Sequence, residues 1–446
     1  MTQRWCKLSI LEIGNITLGS AMPDRKEGGT PLSGGASADY DLIIIGGGLA
    51  GASLAIALAG RGARILIVEH QDEFRDRIRG EVLMPWGSLE AQRLGIYSLL
   101  LQSCAIEAGY YSRFRNGLQP VVRDLLATTP AQTCCMTFPH PQMQSILLRH
   151  AEILGTEVRR GTVASAVTSG NLPRVHIGSD KDGLSARLVV LADGRDSRLR
   201  SLLGFEVRHD PEQLVTAGMI LEGDVNCSEF LADHARPHSA NTVNLFYDPK
   251  GGRMVIAMRI APGRNRIYLI YHKDVLPKRL SGRHSVDEMV RQLQVTGAPG
   301  HWFDRARQAG PLASFDGSHR WVDRPYRDGV VLIGDTAAAT DPAWGRGLSR
   351  TLRDVRLLRD RLLENSDWRS AAEAYASDHD DFYGRMRRLE AMETALLFER
   401  GEAADRRREH AFALFADDPT RVPDVMGLGP EAPSDEKARA RYFGEL

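Results

Sequence analysis

The stretch Tyr40–His70, YDLIIIGGGLAGASLAIALAGRGARILIVEH, limits what this chain can fold into more than any other. Asp41–Ile45 is a short apolar run that ends in glycines. It is too short for a helix and suits a strand buried on both faces. Gly46, Gly48 and Gly51 then form G-x-G-x-x-G, Leu49–Gly60 is alanine-rich with a helical pattern, and Ile65–Val68 reads as a second buried strand ending on Glu69. This is a βαβ unit with an acidic residue about 20 residues beyond the glycines. The first glycine permits a tight turn, the second lets backbone approach a pyrophosphate, and the third brings helix against strand. Free N–H groups at the helix N-terminus attract phosphate. Glu69 is placed to accept ribose hydroxyls. The stretch reads as a dinucleotide site; the plainer alternative is a glycine-rich turn that binds nothing.

The remaining composition is that of a globular chain. Its 446 residues allow two or three domains, and a formal net charge of +0 gives no electrostatic case for nucleic acid as a partner. The five cysteines, Cys6, Cys104, Cys134, Cys135 and Cys227, have neither metal-ligand spacing nor the pattern of a disulfide framework. No metal site is expected, and the setting reads as reducing and cytoplasmic. The vicinal pair Cys134-Cys135 reads as two small residues in a strand or loop. No apolar run approaches the ~18 residues of a membrane span.

Met1–Ala38 ends in KEGGTPLSGGASA and is expected to be a disordered, dispensable extension, with Met22 a second candidate start. Ser88–Leu94 reads as a short helix and Gln142–Leu154 as an amphipathic one stopped by Gly155. Val158–Val167 reads as one strand leading to a Gly170-Asn171 hairpin, and Leu188–Ala192 as a buried strand. From Phe205 to Phe315 strand-like runs dominate: Leu214–Leu221, Thr242–Tyr247, Arg253–Ile260 and Arg266–Tyr271, with Ser285–Leu293 a helix beside them. Along the middle strands Asn244 and Phe246, or Met254, Ile256 and Met258, alternate as a core face. Val330–Ile333 returns to a buried strand, Leu348–Leu363 and Ala371–Leu397 are helical, and the chain beyond Gly401 is a charged tail. The basic runs Arg385, Arg387, Arg388 and Arg406–Arg408 read as solvated faces.

Three glycine-containing stretches each follow a buried strand: GGGLAG at Gly46, ADGRDSRLR at Ala192, and GDTAAATDPAWGRGLSRTLRDVRLL at Gly334. In this order and spacing they resemble the flavin-dependent monooxygenases of the p-hydroxybenzoate hydroxylase type, over roughly Tyr40–Leu363. The resemblance implies FAD as cofactor, NAD(P)H as reductant, and molecular oxygen and a small, electron-rich organic molecule as substrates. Oxygen would be transferred through a flavin C4a-hydroperoxide. It carries Asp193, Gly194, Ser197 and Arg200 to the pyrophosphate region, Gly334-Asp335 to the ribityl hydroxyls, and Arg79, within RIRGEVL, to an FAD oxygen. Pro342, Gly345, Gly347 and Leu348 fall at the flavin edge, where the positive end of a helix would stabilise reduced flavin. Pro342, Gly345 and Gly347 are the nearest things to catalytic residues, acting through backbone; no protein nucleophile is expected. The chain departs from the family pattern at Ala338, Asp341, Trp344 and Ser349.

The expected fold class is therefore α/β: a Rossmann-like FAD-binding domain with an inserted, mostly antiparallel β-sheet substrate domain and a helical C-terminal region. Residues 39–109, 138–204 and 316–366 would form the FAD-binding domain and 110–137 with 205–315 the substrate domain. Residues 367–446 would supply the C-terminal helices and tail. A separate flavin reductase is an alternative electron source. Flavin-dependent halogenases and isoprenoid double-bond reductases share the architecture. No two of Trp5, Trp86, Trp302, Trp321, Trp344 and Trp368 are two apart, so the tryptophan-halogenase motif W-x-W-x-I-P is absent. A flavin-free binding protein is the remaining alternative, opposed by the intact Glu69, Asp193 and Asp335.

Overall fold

The structure is a computed structural model that describes residues 38–76, 78, 80–115, 120–178, 182–223, 225, 241–304 and 306–446. The expected extension up to residue 37, Cys6, Cys227 and the candidate Arg79 lie outside the described residues.

β1 (Tyr40–Ile45) is the centre of a parallel sheet. β2 (Ile65–Val68) lies on one side of it and the strand Leu184–Leu191 on the other. Glu157–Arg159 continues the sheet beyond β2, and Val330–Leu332 continues it beyond Leu184–Leu191. Ile45 pairs with both Val68 and Leu191, and Leu191 with Leu332. The carboxyl ends of these strands are thus level, so Gly46, Ala192 and Gly334 emerge side by side, where open α/β sheets bind ligands. Both faces must be covered, because Leu42, Ile43 and Ile44 leave no polar side to face water. α1 (Leu49–Ala59), His140–Ile153 and Gly347–Glu364 cover one face; Leu199, Phe205 and Val322 pack against the other.

The second large sheet is built from four long antiparallel strands, Leu214–Glu222, Arg264–His272, Arg253–Ala261 and Thr242–Asp248. Tyr110–Arg115 then adds in parallel to Thr242–Asp248, and Val121–Asp124 pairs antiparallel with Tyr110–Arg115. Strand alternation sorts the side chains. Phe246, Val255 and Ile267 face the helix Val286–Val295 and Trp302, forming one core. Val243, Leu245, Met254, Ile256 and Met258 face the other way, toward Trp344 and the 30-residue helix Trp368–Leu397.

Several sequence expectations need correction. Val158–Val167 is not one strand. The chain turns at Gly161 (φ 61°), where a Cβ would lie 2.1 Å from Asp72 Oδ1. Glu157–Arg159 therefore stays in the parallel sheet, while Ala164–Thr168 leaves it to pair with Arg174–Ile177. The chain beyond Gly401 is folded, with helices at Glu402–Asp417 and Glu436–Phe443. The basic runs are not uniformly solvated. Arg408 is buried and donates to Leu396 O and Glu399 O, satisfying carbonyls at the end of the Trp368–Leu397 helix, and Arg387 pairs with Asp210 at 2.8 Å over the Trp321 ring. Cys134 and Cys135 are free and buried, and burial pushes the Cys134 thiol up to about 12, as inert packing residues would be.

Candidate cofactor and substrate site

The turn after β1 is shaped by two glycines. Gly46 has φ 106°, and a Cβ there would lie 2.3 Å from Ala192 O. A Cβ on Gly51 would lie 2.0 Å from Gly46 O, which is how closely α1 approaches the strand end. Beside Gly48 there is room: a Cβ would meet only Gln144 Nε2, at 3.5 Å. No side chain caps α1, so its first N–H groups remain available for an anion. Glu69 accepts from Gly47 N and from Gln71 N, both at 2.8 Å. The carboxylate thus ties the glycine turn to the end of β2, and each oxygen keeps further acceptor capacity. This cradle fits a dinucleotide pyrophosphate and ribose.

The second and third motifs are laced together. Asp193 accepts from Ser197 Oγ at 2.7 Å and Thr336 Oγ1 at 3.3 Å, while Gly194 N donates to Thr336 Oγ1 at 2.8 Å. Burial raises the Asp193 pKa against these hydrogen bonds. Ser197 caps the short helix Arg198–Leu202. Arg200, buried, donates to Thr336 O and Arg195 O. Asp193 and Arg200 therefore shape the loops.

After Val330–Leu332 the chain passes through Gly334 and Asp335. Asp341 accepts from Ala343 N at 2.9 Å and starts a single tight turn, Pro342–Trp344, which Gly345 closes at φ 63°. The long helix then begins at Gly347, one residue before Leu348, with no side-chain cap. The departures from the family pattern have local roles: Ser349 Oγ accepts from Met84 N at 2.9 Å, and Trp344 stacks edge-on to Phe398.

A cavity of about 1390 Å³ opens between the two sheets. Asp335, Pro342, Trp344, Gly345, Gly347 and Leu348 line one wall; Val243, Leu245, Ile256 and Met258 line another; and Phe412, Phe415, Met426 and Tyr442 close the third. Ile256 and Met258, expected as core, are buried in the core and also border the cavity. Gly46, Gly48, Glu69, Asp193 and Gly194 lie outside its wall. The site consequently has two parts: a glycine cradle at the sheet edge, and a roomy, mostly apolar chamber at the Pro342–Leu348 loop, with arginines such as Arg113, Arg195 and Arg320 on its wall.

Sequence reasoning missed the buried ionisable groups around the chamber. Glu81 faces Arg266 at 2.8 Å and accepts from Tyr268 Oη. Arg266 also holds the half-buried Asp76 at 2.9 Å. One full negative charge suffices for Arg266 and the more exposed Asp76 carries it at lower cost, so burial raises Glu81 to about 7. Glu390, fully buried 3.6 Å from Arg346, is pushed up to about 8, and Asp341 to about 7. His319, 3.2 Å from Glu390, is driven down to about 4 by burial. The i, i+4 spacing of Arg350 and Asp354 was a readable signal for one further pair. The C-terminal aromatics carried none, since only the tertiary fold brings them here.

These shifts predict a pH dependence. Each raised carboxyl binds its proton more tightly folded than unfolded, so its contribution is complete below its ordinary value of 3.8 or 4.5 and is lost as pH rises through about 7 to 8. His319 acts oppositely, its contribution being lost as pH falls from 6.5 toward about 4. Burial also lowers His150 and His272, but the shifts of the three carboxyls, to about 7 to 8, are the larger and set the sign. The melting temperature is expected to rise as pH is lowered from about 8 toward 5.5, and Glu390→Gln should flatten that rise. A melting temperature that falls over this range would contradict the assignment.

Among the described residues no cluster of His, Cys, Asp or Glu could hold a metal ion, and no helix is long and apolar enough to cross a membrane. A family described as FAD binding domain matches residues 39–380. Squalene epoxidase 3 of Arabidopsis thaliana is 26% identical over 335 residues, covering 73% of this chain. The chain spans 60% of that relative's length. The 6-methylpretetramide 4-monooxygenase of Streptomyces rimosus is 25% identical over 408 residues, covering 88% of this chain and 92% of the relative. Two solved structures share the fold. The flavin-dependent brominase Bmp2 has a TM-score of 0.70 at 16% identity, over 91% of this chain and 98% of its own. The p-nitrophenol 4-monooxygenase PnpA from Pseudomonas putida DLL-E4 has 0.69 at 18%, over 87% and 95%. The glycine cradle, the Asp335 loop and this match over most of the chain lead to one conclusion: the protein belongs to the FAD-binding-domain family, and FAD is its cofactor.

Proposed function

We propose that the protein is an FAD-dependent monooxygenase that hydroxylates or epoxidises an aromatic or otherwise electron-rich organic molecule. The observation that carries this reading is the mostly apolar chamber opening directly on the Pro342–Leu348 loop. Residues 39–109, 138–204 and 316–366 would bind FAD. Residues 110–137 and 205–315 would form the substrate wall, and 367–446 would close it. The α1 N-terminus and the turn at Gly46, Gly48 and Gly51 hold the pyrophosphate. Glu69 accepts from the adenosine ribose, and Asp335 accepts from the ribityl chain. Asp193 and Gly194 keep the neighbouring loops in register. Pro342, Gly345 and Gly347 bring backbone to the ring edge, and the uncapped Gly347 helix directs positive potential there.

Bound FAD, once reduced by NAD(P)H or by a separate flavin reductase, supplies the oxygen-activating chemistry. The chain's own residues orient the substrate and exclude water, for which Val243, Leu245, Ile256, Met258 and Trp344 are suited. The free Cys104, Cys134 and Cys135 suit a reducing, cytoplasmic setting. The relatives named for oxygen insertion favour this over the halogenase reading, since Bmp2 shares only the fold.

The test is a ligand screen that follows NADPH oxidation and peroxide release together. A substrate is expected to raise the first and suppress the second; a chloride- or bromide-dependent product would favour the halogenase instead. With a hit in hand, Phe412→Ala or Phe415→Ala should raise its KM about tenfold through lost apolar contact, with little change in FAD affinity. An unchanged KM for both would remove the C-terminal helices from the substrate wall.

A further inference from the structure

We propose that Arg350 is a cofactor-positioning residue, which fixes the Asp335 carboxylate in place for the ribityl hydroxyls of FAD. The inference rests on the reading of Asp335 given above. Arg350 lies in the first turn of the Gly347 helix with a side chain of 0% exposure. A cation there opposes the helix dipole and has lost its water, two costs that require compensation.

The compensation is a fork. Nη1 donates to Asp354 Oδ2 at 3.0 Å and Nη2 to Asp335 Oδ1 at 3.0 Å. Asp354 is itself immobilised, by Gly334 N at 2.9 Å and by His379 Nδ1 at 2.8 Å. Burial would push the Arg350 guanidinium down, but Asp354 and Asp335 more than offset this and hold it charged. Asp335 differs from its partner: its side chain is 42% exposed, on the cavity wall. Among the described residues, Arg350 is the group that hydrogen-bonds its carboxylate.

Asp354 alone would neutralise Arg350 and anchor the helix to the Gly334 turn. The second arm, reaching Asp335, is not needed for that. It selects one orientation of the carboxylate through Oδ1 and leaves Oδ2 without a bond to Arg350. Without Arg350, Asp335 would lose the hydrogen bond that fixes its carboxylate, and its acceptor oxygens would no longer be held in one orientation. Lysine, a single point charge, cannot serve both carboxylates with the same geometry.

The experiment is a double-mutant cycle on FAD affinity, with Arg350→Met, Asp335→Asn and their combination. FAD dissociation is read by flavin fluorescence, and the melting temperature of each apoprotein is recorded. Arg350→Met should weaken FAD about tenfold to hundredfold, and the double variant should bind within about threefold of Asp335→Asn alone, because Arg350 acts through Asp335. Multiplying losses would overturn the inference and leave Arg350 a helix anchor. Should Arg350→Met fail to fold, Arg350→Lys replaces it in the same cycle with the same criterion. If Asp335→Asn leaves FAD affinity unchanged, the ribityl assignment itself falls, and the inference with it.

Discussion

Gly51→Val is expected to purify without FAD. A Cβ at this position would lie 2.0 Å from Gly46 O and 2.9 Å from Ile44 Cγ2. Both obstacles are rigid: one is backbone and the other belongs to a central strand of the sheet. α1 would have to move away from β1, opening the turn that presents free N–H groups to the pyrophosphate. The turn is held on its other side by Glu69, which accepts from Gly47 N, so the displacement cannot be absorbed locally. A backbone clash in the core belongs to the rare substitutions that exceed ~4 kcal/mol. The measurement is flavin absorbance of the purified protein, with circular dichroism to show that helix content survives. A yellow protein with stoichiometric FAD would remove the glycine cradle from the site.

Gly345→Val is expected to act on the other half of the cofactor. Gly345 sits at φ 63° between the Pro342–Trp344 turn and the long helix, a conformation that a β-branched residue adopts only under strain. Its Cβ would also meet Met84 Cε at 2.7 Å, although that methyl is the mobile end of a flexible chain. The strain should shift the loop that approaches the flavin edge and leave the cradle at Gly46–Glu69 intact. FAD should therefore remain bound through its adenine half, with affinity changed less than tenfold. The loss appears in coupling: reduction by NADPH slows, and most of the oxygen consumed leaves as peroxide. Gly345→Asn, which tolerates a positive φ, should lie between the variant and wild type. Full coupling in the valine variant would mean that this loop does not shape the reaction.

The parallel sheet and its glycine motifs were legible because they are local. Asp41–Ile45, the G-x-G-x-x-G turn and Glu69 lie within one βαβ unit, where periodicity and spacing report directly on backbone geometry. The strands of the second sheet were legible for the same reason, each being an apolar run between turn residues. What could not be read is set by contacts far apart in sequence. Gly161 turns the chain at a positive φ, where any side chain would run into Asp72 from the β2 end. Arg408 turns inward because carbonyls at the end of the Trp368–Leu397 helix need donors. Ile256 and Met258 are core residues as expected, and they also border a cavity because Phe412 and Met426 come from helices about 150 residues away in the chain. The fork of Arg350 needs Asp335, Asp354 and His379 together, and only the first two share a motif with it.

The measurement that tests the account most directly is a crystal structure of the FAD-loaded protein. The account predicts the isoalloxazine ring in the chamber beside Pro342–Gly347, with the Gly347 helix end directed at its N1 and C2=O edge. It also predicts Asp335 on the ribityl chain and Glu69 on the adenosine ribose. A ring lying away from Pro342, with the Gly347 helix end pointing elsewhere, would contradict it.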